Sequence, residues 1–469
     1  MPTSCDIGHE SSARSFQVRS LQSPRPTDAG QRSDRVRAIV KTLPARPRLP
    51  VAVVMSGGGA RAAYQVGVLR AVAAMLPRGA ANPFAIICGT SAGAINAASL
   101  ASNADRFAAG VARLARVWGN LCVDDVYRTN LSGLARSVYR CLVALLGRRE
   151  HSSRSLSLLD CEPLGSLLNR MIDFRRIQRV IAAGHLNALS VTASSYATGD
   201  SVTFFQGDGS HNPWRRAHRV GRSAEIGLSH VMASCALPIM FPAVRIGGEH
   251  FGDGSMHQLA PISAALHLGA RRVLAIGVGS ASHGERSVRD SSVWPSLAQI
   301  AGHMLDAIFI DTLDMDLERL QRVNQTLARV RENTGWQSSP ELKTIDTLII
   351  RPTERMDVIA ASHAQELPRA MRILARRIGA MDPNGAGVLS YLLFESGYCR
   401  HLIDLGYSDA MSRRAEILDF LECGHSVEER SVEERSDVPQ SHRQTRRKPA
   451  PEPAAASPDR SVSAAVGPT

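Results

Sequence analysis

The sequence predicts an α/β fold with a mostly parallel central sheet. Two short runs, Val51-Ala52-Val53-Val54-Met55 and Phe84-Ala85-Ile86-Ile87-Cys88, are apolar on both faces. Each leads through glycines into a segment of helical character. A strand with two apolar faces belongs inside a sheet covered on both sides, and alternation of such strands with helices is how parallel strands are joined. At 469 residues, 44 % of them hydrophobic, the chain can hold one large α/β domain or two ordinary ones.

Residues 1–49 are rich in Ser, Arg and Pro without a sustained apolar period, so they are expected to form a disordered basic tail. A strand follows over 51–55, then the loop Ser56-Gly57-Gly58-Gly59-Ala60-Arg61. The next helix, over 62–76, carries Val66, Leu69, Val72, Ala73 and Leu76. A second strand ends at Gly89, and an alanine-rich helix begins after Ser91. An amphipathic helix is expected over 104–121. Residues 123–160 form a cap region, within which 131–146 combines arginines with a broad apolar face. That pattern suits a lid lying on lipid or a buried helix.

A helix pair over 163–183 and strands over 186–193 and 201–205 come next, then a helix over 226–236 that Pro238 and Pro242 stop. Met240 and Phe241 suit either an acyl pocket or core packing. A hairpin over 244–255, a strand over 272–278 and a hydrophilic loop over 279–292 follow. One long helix is expected over 297–327, with Ile300, Met304, Ile308, Leu313, Leu317 and Leu320 along one side. A strand over 346–351 and helices through 421 complete a globular domain over 50–423, whose C-terminal part, from about 295, is helical. From 424 a duplicated Ser-Val-Glu-Glu-Arg and a Pro/Ala/Ser-rich end predict a disordered tail to 469.

The net charge of +12 is concentrated in arginines between Arg14 and Arg48 and between Arg443 and Lys448. Basic ends suit an anionic surface or simply solvation. Aromatic residues are 5 % of the chain and do not interleave with the basic runs, which argues against nucleic acid as the partner. The eight cysteines, Cys5, Cys88, Cys122, Cys141, Cys161, Cys235, Cys399 and Cys423, show no C-x-x-C pair or metal-ligand rhythm. They read as reduced thiols of a cytoplasmic protein. Residues 1–15 carry Asp6 and Glu10 and no apolar h-region, so no secretory signal is expected there. Without a run of about 20 apolar residues, membrane contact is expected to be peripheral. No clustered oxygen ligands suggest a metal site, and nothing sets an oligomeric state.

Chemistry concentrates in two glycine-punctuated turns. Gly89-Thr90-Ser91-Ala92-Gly93 has the G-x-S-x-G spacing of a nucleophile elbow, in which small flanking residues let strand and helix approach and put Ser91 at the apex. A serine at its ordinary pKa is a poor nucleophile, so this matters only with a base in reach, and alone it reads equally as an ordinary turn. Gly57-x-Gly59-x-x-Ala62 formally fits a dinucleotide fingerprint, but residues 75–87 contain no acid to hold a ribose, and no G-K-[ST] follows. No cofactor is therefore expected. What remains is an oxyanion hole in which the N–H groups of Gly58 and Gly59 converge on the carbonyl oxygen, with Arg61 supporting the loop or the charge.

Taken together, Gly57-Gly58-Gly59-Ala60-Arg61, Gly89-Thr90-Ser91-Ala92-Gly93, Ala233-Ser234-x-x-x-Pro238 and Asp253-Gly254 resemble the patatin-like phospholipase family, in the family's order. The resemblance covers residues 50–279 strongly. It continues more loosely through 300–398, where the pattern looks like that of longer bacterial members. It implies a three-layer α/β/α fold and a Ser–Asp dyad acting on lipid esters, with Ser91 as nucleophile, Asp253 as base and residues 57–59 with Arg61 as oxyanion hole. Ser255 departs from the small Gly or Ala usual after Asp-Gly, and its hydroxyl would compete for the Asp253 carboxylate. Two rivals stand beside this reading: a triad using His250, His257 or His267 as base, and a catalytically idle lipid-binding or scaffold protein on the same fold.

Overall fold

The apolar runs of the chain become the middle of a ten-stranded sheet in a computed structural model that describes residues 49–128, 157, 159–280, 294–334, 343–382 and 384–422. The strands are β1 (Val51–Met55), β2 (Ile86–Thr90), β3 (Ala188–Ser195), β4 (Ser201–Gly207), β5 (Trp214–Arg216), β6 (Arg219–Ser223), β7 (Val244–Ile246), β8 (Glu249–Asp253), β9 (Arg272–Ile276) and β10 (Asp346–Ile350). Their order is β10-β9-β1-β2-β3-β4-β6-β5, with β8 on β3 and β7 on β8. Successive pairs from β10 through β3 run parallel. This is the mostly parallel sheet the sequence predicts. Strands β5 and β6 were not anticipated, because the charged sequences Trp-Arg-Arg and Arg-Val-Gly-Arg-Ser carry no apolar alternation at this sheet edge.

One register decides the position of the site. Strand β2 runs parallel to β3 and pairs with it up to Thr90↔Thr192. The same edge of β3 is then taken over by β8, which runs antiparallel and pairs Asp253↔Ala193. The carboxyl ends of β2 and β8 therefore meet head to head across two adjacent residues of β3.

Helices cover both faces. They are α1 (Ala63–Met75), α2 (Ala92–Ala101), α3 (Phe107–Trp118), α4 (Glu162–Met171), α5 (Phe174–Ala182), α6 (Leu228–Ser234), α7 (Ser263–His267), α8 (Leu297–Phe309), α9 (Asp311–Thr334), α10 (Met356–His363), α11 (Arg369–Arg377), α12 (Ala386–Leu392), α13 (Ser396–Ser412) and α14 (Arg414–Glu422). Period-2 alternation sends Val51, Val53, Met55, Ile87, Leu189 and Leu274 into a core shared with α1 to α5 and α13. It sends Ala52, Val54, Ile86, Cys88 and Val273 into a second core with α7 and with Leu313 and Leu317 of α9. Each large buried side chain contributes about 1.5–3 kcal/mol, so strands apolar on both faces hold helices on both faces. The result is a layered α/β/α arrangement with a helical C-terminal region.

The long helix expected over 297–327 is instead two helices, α8 and α9, with Ile310 between them. Of the expected stripe only Leu313 and Leu317 are buried, whereas Ile300 and Met304 are 46 % and 62 % exposed. In α8 the small face wins: Ala298 and Gly302 are buried, and Gly302 lets the helix approach the start of α12 closely. A face of small residues can pack backbone to backbone, which a Leu/Ile/Met stripe cannot. The expected disordered tails, the cap segment with its helix over 131–146 and the loop over 279–292 lie wholly or largely outside the described residues. Among the described residues no helix is long and apolar enough to cross a membrane.

Candidate active site

The turn after β2 is strained. Ser91 has φ 53°, in the left-handed region, and precedes α2 directly. A non-glycine residue there costs about 1–3 kcal/mol and persists only where its surroundings hold it. They do so by close packing and by a hydrogen bond. A Cβ on Gly93 would collide with the Met55 carbonyl, and one on Gly89 with the Gly93 carbonyl. The Ser91 N–H donates to Ser234 Oγ at 2.8 Å, and the Ser234 hydroxyl donates to the Thr192 carbonyl at 2.6 Å. Ser234 thus ties the elbow to β3 from α6. Ser234 stands in Ala233-Ser234-x-x-x-Pro238, and nothing in that local sequence points to the elbow 143 residues away.

Asp253 arrives on β8 from 162 residues away, and the Ser91 hydroxyl donates to its Oδ2 at 2.6 Å. Asp253 is fully buried. Its other oxygen accepts the Ser255 N–H at 2.9 Å, while its own N–H donates to the Ala236 carbonyl at 2.8 Å. Burial raises the carboxyl from 3.8 to about 6, against the hydrogen bonds from Ser91 and the Ser255 backbone, which favour the charged form. The Ser255 hydroxyl is near enough to add to that second effect. Yet it makes no hydrogen bond of good geometry among the described residues, so its competition with Ser91 for the carboxylate is weak.

The glycine loop follows β1. The Arg61 N–H donates to the Gly58 carbonyl at 3.1 Å and closes the turn. No hydrogen bond within the described residues uses the N–H of Gly58 or Gly59. The Ser56 carbonyl accepts from Gln65 Nε2 at 2.7 Å. Asn96 on the elbow helix donates to Gln65 Oε1 at 2.9 Å and accepts from Trp118 Nε1 at 2.9 Å. A buried polar chain with every partner in place rigidifies what it joins, here the start of the loop and the elbow helix. The Arg61 side chain turns into the protein toward Ser390, Tyr391 and Asp306.

A narrow, almost wholly apolar cleft opens beside Ser91 and Gly59, walled by Ile95, Trp118, Leu164, Leu168 and Phe241. Phe241 lines it and Met240 does not, and both pack against the main core. Of the three histidines considered, His250 and His257 are exposed, and His267 stacks on Trp214 with ring centroids 4.7 Å apart. None hydrogen-bonds Ser91 or Asp253 among the described residues. Among the described residues no three His, Cys, Asp or Glu side chains are grouped to hold a metal ion.

The family model described as patatin-like phospholipase matches residues 53–266. No curated protein sequence matches the chain. Among solved structures it is similar to VipD from Legionella pneumophila, at 12 % identity and a TM-score of 0.30, covering 79 % of this chain and 67 % of that one. It is also similar to human GIVD cytosolic phospholipase A2 bound to methyl gamma-linolenyl fluorophosphonate, at 12 % identity and a TM-score of 0.39. That match covers 83 % of this chain and spans 61 % of the human protein. Likenesses this distant bear on neither substrate nor mechanism.

Proposed function

We propose, for a chain whose residues 53–266 belong to the patatin-like phospholipase family and which is an ester hydrolase by that membership, that Ser91 and Asp253 cleave fatty-acyl esters of membrane lipids. The single observation that carries this is the 2.6 Å hydrogen bond from the Ser91 hydroxyl to a buried carboxylate, at the edge of an apolar cleft. As Ser91 Oγ bonds to the acyl carbon, its proton passes to Asp253, and the same proton leaves with the departing alcohol. Water then attacks the acyl-serine, giving its proton to Asp253, which hands it to Ser91 Oγ as the bond to the acyl carbon breaks and the fatty acid is released. The raised pKa of Asp253 makes it a better base than an exposed aspartate while leaving it ionised above about pH 6.

The negative oxygen of the tetrahedral intermediate falls to the N–H groups of Gly58 and Gly59, within the loop of Gly57 to Gly59 that Arg61 supports. The apolar cleft takes the acyl chain. An ester alcohol leaves with less acid assistance than an amine, which suits a base without a histidine. The contact between Asp253 and Ser91 favours this reading over a histidine triad, and a merely binding protein has no need of it. A globular catalytic domain over 50–423 with basic flanks, working in the cytoplasm at a membrane surface, is the setting we propose.

The test is hydrolysis of a short-chain p-nitrophenyl ester and of labelled phosphatidylcholine vesicles by wild type and Ser91→Ala. Acid release by wild type and none by the folded variant supports the reading. Equal activity of the two overturns the site, and an inactive wild type that still binds vesicles favours the idle lipid binder.

A further inference from the structure

The proposed hydrolysis needs the N–H groups of the glycine loop to hold still, and what holds them comes from helices beyond residue 266. Arg61 is only 4 % exposed, and a buried guanidinium is costly unless its donors are satisfied. Its Nε donates to Ser390 Oγ at 2.8 Å, and its Nη1 donates to the Tyr391 hydroxyl at 3.0 Å and to Asp306 Oδ1 at 3.3 Å. Its guanidinium carbon stands 3.9 Å from the centre of the Tyr391 ring. The network closes on itself: the Tyr391 hydroxyl donates to Asp306 at 2.7 Å, and the Ser390 hydroxyl donates to the Gly387 carbonyl at 2.6 Å.

The same two helices press on the loop backbone. The Tyr391 carbonyl lies where a Cβ of Gly59 would be, and Gly59 takes φ +55° there. Phe309, the last residue of α8, packs against Gly57 and stacks on the Tyr391 ring with centroids 5.3 Å apart. Through these contacts α8 and α12 brace both the side chain of Arg61 and the main chain beside it.

We propose that Asp306 and Tyr391 are positioning residues for the hydrolase: by fixing Arg61 they set the oxyanion-binding geometry of the Gly57–Gly59 loop. This rests on the hydrolase reading above. It makes the helical C-terminal region part of the catalytic apparatus, although neither residue lies in the cleft. A shift of the loop by about 1 Å weakens hydrogen bonds made only in the transition state, with a loss of about ten- to a hundredfold in kcat.

The experiment compares wild type, Tyr391→Phe, Asp306→Asn, Arg61→Lys and the double variant Arg61→Lys/Asp306→Asn on a p-nitrophenyl ester. Kinetics at saturation and a thermal unfolding scan are recorded for each. Tyr391→Phe removes one hydroxyl and keeps the ring over Arg61 and against Phe309, so it preserves packing. Expected are a kcat lowered about ten- to a hundredfold, a KM within about twofold, an unfolding transition lowered by no more than about a few degrees for the one buried acceptor lost, with the variant fully folded at the assay temperature, and an unchanged acid limb of the pH profile. The Asp306→Asn loss is expected to shrink in the Arg61→Lys background, because both act through one side chain. Wild-type kcat in Tyr391→Phe and Asp306→Asn, or losses that multiply fully in the double variant, overturns the positioning role while an active wild type leaves the hydrolase reading standing. An inactive wild type overturns both.

Discussion

Replacing Asp253 by Asn trades activity for stability, and the trade depends on pH. Burial moves the Asp253 carboxyl from 3.8 to about 6 in the fold. A shift of about two units at about 1.4 kcal/mol each means that holding the charged form costs about 3 kcal/mol. Below pH 3.8 the group is protonated both folded and unfolded and contributes nothing. Between pH 3.8 and about 6 the folded chain binds the proton more tightly, so stability falls as pH rises; above pH 6 the full cost is present. Asn carries no charge and still offers an acceptor to the Ser91 hydroxyl or the Ser255 N–H. After some loss in those hydrogen bonds, Asp253→Asn is expected to gain about 1–3 kcal/mol at pH 8 and nothing at pH 4. Urea unfolding followed by tryptophan fluorescence at the two pH values reads the gain. Ester hydrolysis of the same samples is expected to fall about 10²–10⁴-fold, and the wild-type profile to show an acid limb near pH 6. A variant no more stable at pH 8 than wild type, with a stability difference independent of pH, would refute the claim that Asp253 is held ionised against its burial.

Ser91→Gly and Ser91→Ala both remove the hydroxyl, so their difference isolates the strained backbone; the glycine variant is expected to be more stable by about 1 kcal/mol in urea unfolding, and equal stability would contradict stored strain at φ 53°. Ser234→Ala strands the buried N–H of Ser91 and is expected to lower stability by about 1–3 kcal/mol and kcat with it, as chemical denaturation and ester kinetics can read. Ile95→Trp fills the cleft beside Ser91. It is expected to cut kcat/KM for a long-chain p-nitrophenyl ester at least about tenfold while sparing a short-chain one, and a uniform loss across chain lengths would place the acyl chain elsewhere.

Much of the site was legible in the sequence because its parts are local. Gly89-x-Ser91-x-Gly93 fits an elbow since only residues without bulk are tolerated where Gly93 touches the Met55 carbonyl, and that restriction is written within five positions, although the spacing alone fits an ordinary turn equally. The glycine loop after β1 is legible for the same reason. The unbroken apolar run through Val53 and Val54 pointed equally directly to a sheet covered on both faces, and the two side chains do enter opposite cores. The break at Ile310 was not legible, because apolar spacing continues through it and only the packing of Gly302 against α12 turns the small face of α8 inward.

Local sequence encodes the strand–turn–helix units and the residue types that each can carry. How those units meet is settled by long-range packing. Asp253 reaches Ser91 because β2 and β8 share one edge of β3, a pairing set by register and not by any local motif. Ser234 holds the elbow across 143 residues, and Arg61 finds Ser390 and Tyr391 more than 300 positions away. Local backbone preferences act over a few residues, whereas a buried hydroxyl or guanidinium must be satisfied by whatever the fold brings beside it, and that is known only once the layers have closed.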